Sequence, residues 1–147
     1  MLNDHLYDAI ILSYAGINSL NLNENISEIF SIDEIIPSAG QGVIALQCKN
    51  DDEYIKNILK KINHEKTFKS VQAERNVLKV LEGDCETAVG AISVINNENI
   101  TLEGELFSLD GKERFYYKSS KDIKHAAELG IEIGENLKSQ SKGSYKK

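Results

Sequence analysis

Arginine is nearly missing from this sequence. Two residues, Arg75 and Arg114, stand against 15 lysines, and arginine is the side chain that grips carboxylates and phosphates with paired hydrogen bonds. A chain of this make-up is poorly equipped to hold a polyanionic ligand alone. Positive charge is short overall: 17 Lys and Arg face 23 Asp and Glu, a net charge of −6. No nucleic-acid partner is expected, because phosphate backbones are held by clustered cations. Cysteine is scarce too. Cys48 and Cys85 cannot make a disulfide framework, and a reducing, cytoplasmic compartment is the expectation. No apolar run approaches the ~18 residues that cross a bilayer, and a basic-then-apolar leader is lacking; no membrane partner is expected. His5, His64 and His125 lie outside metal-ligand spacing of either cysteine, so no metal is expected.

What is present has a globular balance. The 147 residues are 41% hydrophobic and 27% charged, which suits a packed core. Tyr7–Ser13 and Val43–Gln47 read as short buried strands. Ala15–Leu20 reads as a turn into a short helix. Ser31-Ile32-Asp33-Glu34 has capping-box spacing, but Pro37 stops any helix within a turn. Asn50–Glu53 opens a helix with apolar residues at Ile55, Ile58, Leu59 and Ile62. A second helix runs from Glu65 to Glu82, with Phe68, Val71, Leu78 and Leu81 on one face and Gly83 as its stop. The period then changes from 3.6 to 2. Thr87–Asn96, Ile100–Leu109 and Arg114–Lys118 read as strands joined by turns at Asn96–Asn99 and Asp110-Gly111. Ile123–Leu137 reads as a last helix in which Gly130 and Gly134 allow close packing on the sheet. Ser139–Lys147 reads as a frayed basic tail.

The order α-α-β-β-β-α predicts an α+β domain: a three-stranded antiparallel sheet with helices packed on one face. Residues 1–50 do not complete a domain. Residues 51–147 are expected to fold as a unit, and residues 1–50 to be partly unsettled or self-associating, since exposed strand edges seek a partner.

Cys85 lies between a helix end and a strand. Glu82, Asp84, Glu86 and the negative end of the helix dipole all disfavour its thiolate. A thiol so placed suits a bond made once rather than a nucleophile regenerated in each turnover. Cys48 reads as a packed core residue. Gly40-Gln41-Gly42 lacks the Lys-Ser/Thr of a phosphate loop and reads as a hinge. No acid stands out as a general acid or base, so no catalytic residue is assigned within the chain.

Three segments resemble porphobilinogen deaminase, the hydroxymethylbilane synthase family. They are Tyr7–Ile17, then Ile36–Cys48 with its Pro-Ser-Ala-Gly-Gln-Gly, and Ala73–Cys85 with Glu-Arg followed by Leu-Glu-Gly-Asp-Cys. Their order matches the C-terminal half of that family. The resemblance implies that residues 1–36 end a second α/β domain, 37–50 return to a first α/β domain, and 51–147 form a C-terminal α+β domain that attaches a cofactor. It implies a dipyrromethane held by a thioether to Cys85, with Gly83, Asp84, Gln41, Gly42 and Arg75 as further cofactor-binding residues. It implies a transferase that joins porphobilinogen units head to tail on that primer, losing ammonia, with the growing pyrrole chain and an N-terminal half as partners. Many members place a second Gly where this chain has Asp84. The alternative is a non-catalytic binding module derived from the same domain.

Overall fold

The computed structural model describes residues 6–83 and 86–146. They divide into two units between Glu34 and Ile35. The first holds a short helix α1 (Tyr14–Ser19) and a 3-10 turn at Asn23–Asn25. The capping-box spacing at Ser31 gives half of that motif and a turn rather than a helix: the Ser31 N–H and hydroxyl both donate to Glu34 Oε2, at 2.7 and 2.8 Å, while the Glu34 N–H goes to the Ser31 carbonyl at 3.1 Å.

The second unit carries α2 (Glu53–Ile62), α3 (Glu65–Leu81), β1 (Val89–Asn96), β2 (Asn99–Phe107), β3 (Arg114–Asp122) and α4 (Ala126–Ser141), with a 3-10 turn at Ile123–His125. Asp52 caps α2 by accepting from the Ile55 N–H at 2.9 Å. The sheet is antiparallel in the order β1-β2-β3, so the α+β reading holds. Residues Ile100, Leu102, Gly104 and Leu106 alternate along β2 and turn one face of the sheet inward. On that face lie Ala73, Val77 and Leu81 of α3 and Leu129, Ile133 and Leu137 of α4. Tyr117 packs against this core, whereas Tyr116 is exposed and its hydroxyl donates to Glu103 Oε2 at 2.6 Å.

Several expectations are corrected. Tyr7–Ser13 and Val43–Gln47 are not strands; both lie outside regular secondary structure, and Ile11 and Ile44 are 76% and 89% exposed. A strand exists only through a partner's backbone, and among the described residues neither segment has one. The buried face of α3 runs through Ala73, Val77 and Leu81, while Phe68 is 52% exposed. The helix is turned this way because Gly130 and Gly134 of α4 press against α3, not against the sheet. A Cβ at Gly130 would stand 2.1 Å from the Ala73 carbonyl oxygen, and one at Gly134 would stand 2.7 Å from Val80 Cβ. Close contact is possible only where side chains are absent. No residue of α2 is buried.

The C-terminal tail is not frayed. Helix α4 runs on to Ser141, Lys142 turns left-handed at φ 48°, and the chain folds back. Tyr145 is 1% exposed, its hydroxyl donates to the Leu81 carbonyl at 2.9 Å, and the Leu109 N–H donates to the Ser144 carbonyl at 2.9 Å. Lysines flanking a single aromatic residue mask, in composition, a segment that seals the core.

The other edge of the sheet is sealed by the segment that follows Ile35. The backbone of Ile36 crosses so near Gly90 that a Cβ there would stand 2.5 Å from its carbonyl oxygen. The Ile36 N–H donates to Glu105 Oε1 at 3.1 Å, and Glu105 Oε2 in turn meets Arg114 Nη2 at 2.7 Å. The Pro37 carbonyl accepts from the Ala91 N–H at 2.9 Å, which satisfies an outward donor of edge strand β1. The next outward donor, the Ser93 N–H, goes to Glu74 Oε1 at 2.9 Å, joined by the Ser93 hydroxyl at 2.7 Å. Glu74 Oε2 takes the Gly40 N–H at 2.8 Å. One carboxylate, 8% exposed, thus ties α3, β1 and the Ser38–Val43 turn together.

Two stability outcomes follow from this packing. Glu74→Ala strands three donors at once and is expected to cost about 2–4 kcal/mol in urea unfolding; a loss below about 0.5 kcal/mol would show that water replaces the carboxylate. Gly130→Ala, which ordinarily stabilises a helix interior by about 1 kcal/mol, is expected here to destabilise by about 1–3 kcal/mol through overpacking, read as a lowered melting temperature. An unchanged or raised melting temperature would refute the close crossing of α3 and α4.

Candidate functional site

Of the residues singled out from the sequence, Arg75 lies on α3, Gly83 follows its end, and the Gln41-Gly42 turn is tied to its middle. Near its middle, Glu74 faces inward and Arg75 is exposed. Arg75 takes no part in an ion pair among the described residues. Beside Glu74 stands the turn that carries Gln41 and Gly42, tied on through the Gly40 N–H. Gly40 and Gly42 have φ of 78° and 74°, and a Cβ on either would meet nothing within 4 Å. This turn therefore presents bare backbone to open space, a surface that an extended, hydrogen-bonding ligand can approach closely.

Gly83 lies two residues past the end of α3, whose last residue Leu81 is about 10 Å along the axis from Glu74 by the rise of an α-helix. Its expected role as the helix stop falls to its neighbour: the left-handed residue is Glu82, at φ 52°. Gly83 is needed for space instead, since a Cβ there would stand 3.1 Å from Thr87 Cβ. Asp84 and Cys85 lie outside the described residues. Cys48, expected in the core, is only half-buried because Val43–Gln47 has no sheet to pack against.

The electrostatics at the root of this loop differ from the sequence expectation. Acids and the helix dipole were the only influences legible there. The structure adds cations from far along the chain. Lys138 of α4 donates to the Val80 carbonyl at 3.1 Å, and Tyr145 caps that of Leu81. Lys138 and Lys146 stand 3.5 and 3.4 Å from Glu82 Oε2. The hydrogen bond from Lys146, then the charge of Lys138, hold the Glu82 carboxyl below its ordinary range, and Glu82 raises Lys146 in return. The negative helix end is thereby offset by two ammonium groups and a hydroxyl. The residues missed by sequence reasoning are Glu105, Arg114, Lys138, Tyr145 and Lys146. For Arg114 a signal existed, its rarity; the others look in sequence like ordinary strand, helix and tail residues.

In the first unit, Tyr14, Asn23, Ile26, Ser27, Glu28 and Ile29 line an open depression. Among the described residues no group of His, Cys, Asp and Glu could hold a metal ion, and no helix is long and apolar enough to cross a membrane.

Comparison with known proteins agrees with the resemblance seen in the motifs. Residues 1–57 match the family model described as porphobilinogen deaminase, dipyrromethane cofactor binding domain, and residues 68–139 match that of the porphobilinogen deaminase C-terminal domain. A porphobilinogen deaminase from Desulforamulus reducens is 38% identical over 88% of this chain and 42% of its own length. One from Carboxydothermus hydrogenoformans is 37% identical over 95% of this chain and 44% of its own. One from Prochlorococcus marinus is 34% identical over 93% and 44%. The chain thus spans less than half the length of these relatives. Matched by both domain models and by relatives along nearly all of its length, the chain belongs to the porphobilinogen deaminase family, a family of transferases, and corresponds to its C-terminal half.

Proposed function

We propose that this chain is the cofactor-carrying part of an enzyme that polymerises four porphobilinogen units into hydroxymethylbilane, and that it is catalytically incomplete without an N-terminal half. The observation that supports it best is the Glu74 carboxylate: it holds the Gly40–Gly42 turn to the same helix that leads into Gly83-Asp84-Cys85. Two segments with family motifs are thus tied to one element. Residues 1–36 belong, in this reading, to a second α/β domain, 37–50 to the return toward a first, and 51–147 to the attachment domain.

Cys85 holds the dipyrromethane through a thioether. The bound dipyrromethane supplies the free pyrrole end to which porphobilinogen units are added, each with loss of ammonia. The chain's own residues bind and orient. Gly42 and Gln41 offer backbone and amide groups from a turn with open space around it. Arg75 offers a guanidinium, matched to the carboxylate side chains of the pyrroles. Gly83 and Asp84 directly precede the attachment cysteine in the sequence. With Arg75 and Arg114 as the only guanidinium groups, and Arg114 committed to Glu105, this chain offers little paired hydrogen bonding to a ligand carrying several carboxylates. The remaining cations and the general acid belong to the N-terminal half, and the cytoplasm is the compartment in which free thiols persist.

Intact-protein mass spectrometry on the complete enzyme tests the attachment. Cys85→Ser is expected to remove the cofactor mass and the pyrrole colour reaction together. Cys48→Ser is expected to keep both and, being half-buried, to cost no more than about 1 kcal/mol. Adduct retained in the Cys85→Ser protein would overturn the assignment. For the chain alone, incubation with porphobilinogen is expected to yield no hydroxymethylbilane. Steady product formation by preparations free of host enzyme would defeat the reading of incompleteness.

A further inference from the structure

The Glu74 carboxylate spends part of its bonding on a segment that the core does not need. It is 8% exposed, and no cation pairs with it among the described residues. Its oxygens are divided between two places instead. Oε1 takes both the N–H and the hydroxyl of Ser93, at 2.9 and 2.7 Å, and Oε2 takes the Gly40 N–H at 2.8 Å. Two donors on one residue fix the plane of the carboxylate, and with it the direction in which Oε2 faces. Ala39 already packs against the core, whereas Gln41, Gly42 and Val43 beyond it are exposed. The turn is soft by itself. Its internal bonds, from the Gln41 N–H to the Ser38 carbonyl at 3.2 Å and from the Val43 N–H to the Gly40 carbonyl at 3.4 Å, are long, and Gly40 and Gly42 have the widest backbone freedom of any residue. A nearly buried anion is costly, and fixing an exposed turn with it returns no apolar burial. What it returns is position. The exposed Gln41 side chain and the Gly42 N–H, which has no partner among the described residues, are held next to one another on a turn with open space around it.

We infer that Ser93 and Glu74 are positioning residues: Ser93 orients the carboxylate, and the carboxylate holds the Gly40–Gly42 turn so that the Gln41 amide and the Gly42 N–H meet a carboxylate of the bound pyrrole chain as two fixed donors. The inference rests on the reading of Gln41 and Gly42 as cofactor-binding. The turn lies in the stretch matched by the cofactor-binding domain, and Glu74 and Ser93 lie in the stretch matched by the C-terminal domain, so the hold passes from one family domain to the other. Fixed donors bind an anion more tightly than mobile ones, since the ordering cost is met during folding rather than on binding. Only an ionised carboxyl performs both halves of the task. An amide has a single acceptor atom, so in Glu74→Gln the oxygen that takes the Gly40 N–H leaves an NH2 group against the Ser93 N–H, donor facing donor.

Two measurements test this. In the chain itself, amide hydrogen exchange followed by NMR reads the hold on the turn. Ser93→Ala and Glu74→Gln are each expected to speed exchange at Gly40 about tenfold, and by a larger factor than at Leu102 of β2, which reports on the fold as a whole. In the complete enzyme, with cofactor content checked by intact mass, Gln41→Ala is expected to lower kcat/KM about tenfold and Ser93→Ala about threefold. The double variant is expected to be no worse than Gln41→Ala, because a residue that acts through the turn then has nothing left to position. A role in packing alone predicts the same threefold loss in both backgrounds, and that result overturns the inference. Unchanged exchange at Gly40 in Ser93→Ala, or full activity of that variant, overturns it too. Full activity of Gln41→Ala would sink the reading of the turn as cofactor-binding and the inference with it; it is told apart from the other failures because Ser93 is intact in that enzyme.

Discussion

The carboxylate of Glu74 is the constraint on which the second unit depends. A buried anion persists only when its lone pairs are taken up, and this one takes up three donors from two other parts of the chain. Its partners are an outward donor of edge strand β1 and the first residue of the Gly40–Gly42 turn. Remove the acid and β1 has an unpaired edge; remove the turn and the acid has an unpaired oxygen. Glu105 repeats the device on the outer face of the sheet, where Ile36 and Arg114 cover it. Two buried acids therefore fasten residues 36–40 along β1, and the polar bonds define a route that apolar packing alone would leave loose.

Helix packing supplies the second constraint. Gly130 and Gly134 bring α4 against the backbone of α3, so the two helices behave as one layer over the sheet. The close crossing carries Lys138 to the end of α3, and the reversal after Lys142 carries Tyr145 and Lys146 to the same place. Helix α3 thus ends with the Val80 and Leu81 carbonyls bonded and Glu82 paired. An isolated helix ending in Glu82 would present uncompensated negative charge there. The fold offsets part of that field.

Exposed apolar residues run along 6–46, through the first unit and into the opening stretch of the second. Ile10, Ile11, Leu12, Ile44 and Leu46 all lie open to solvent, in segments whose apolar runs are of strand length. Their composition and their exposure disagree, and the chain matches under half of its relatives' length. It agrees with the proposal that the activity belongs to a larger assembly.

The chain's local chemistry determined much of the architecture. The change of period from 3.6 to 2 and the Asp110-Gly111 turn are decided by neighbouring residues and formed as read, whereas the cap of α2 falls to Asp52, two residues beyond the expected Asn50. The family was legible for the same reason, through the contiguous motifs ending at Ile17, Cys48 and Cys85. Tertiary structure decided whatever depended on a partner far along the chain. Tyr7–Ser13 and Val43–Gln47 have strand composition but no strand to bond. Glu74 and Glu105 look like surface acids until donors 34 and 69 residues away reach them. The tail looked solvated until Tyr145 found a carbonyl 64 residues upstream. Periodicity reports which face of an element is apolar; only the folded chain brings together the distant donors, acceptors and charges that settle what that face meets.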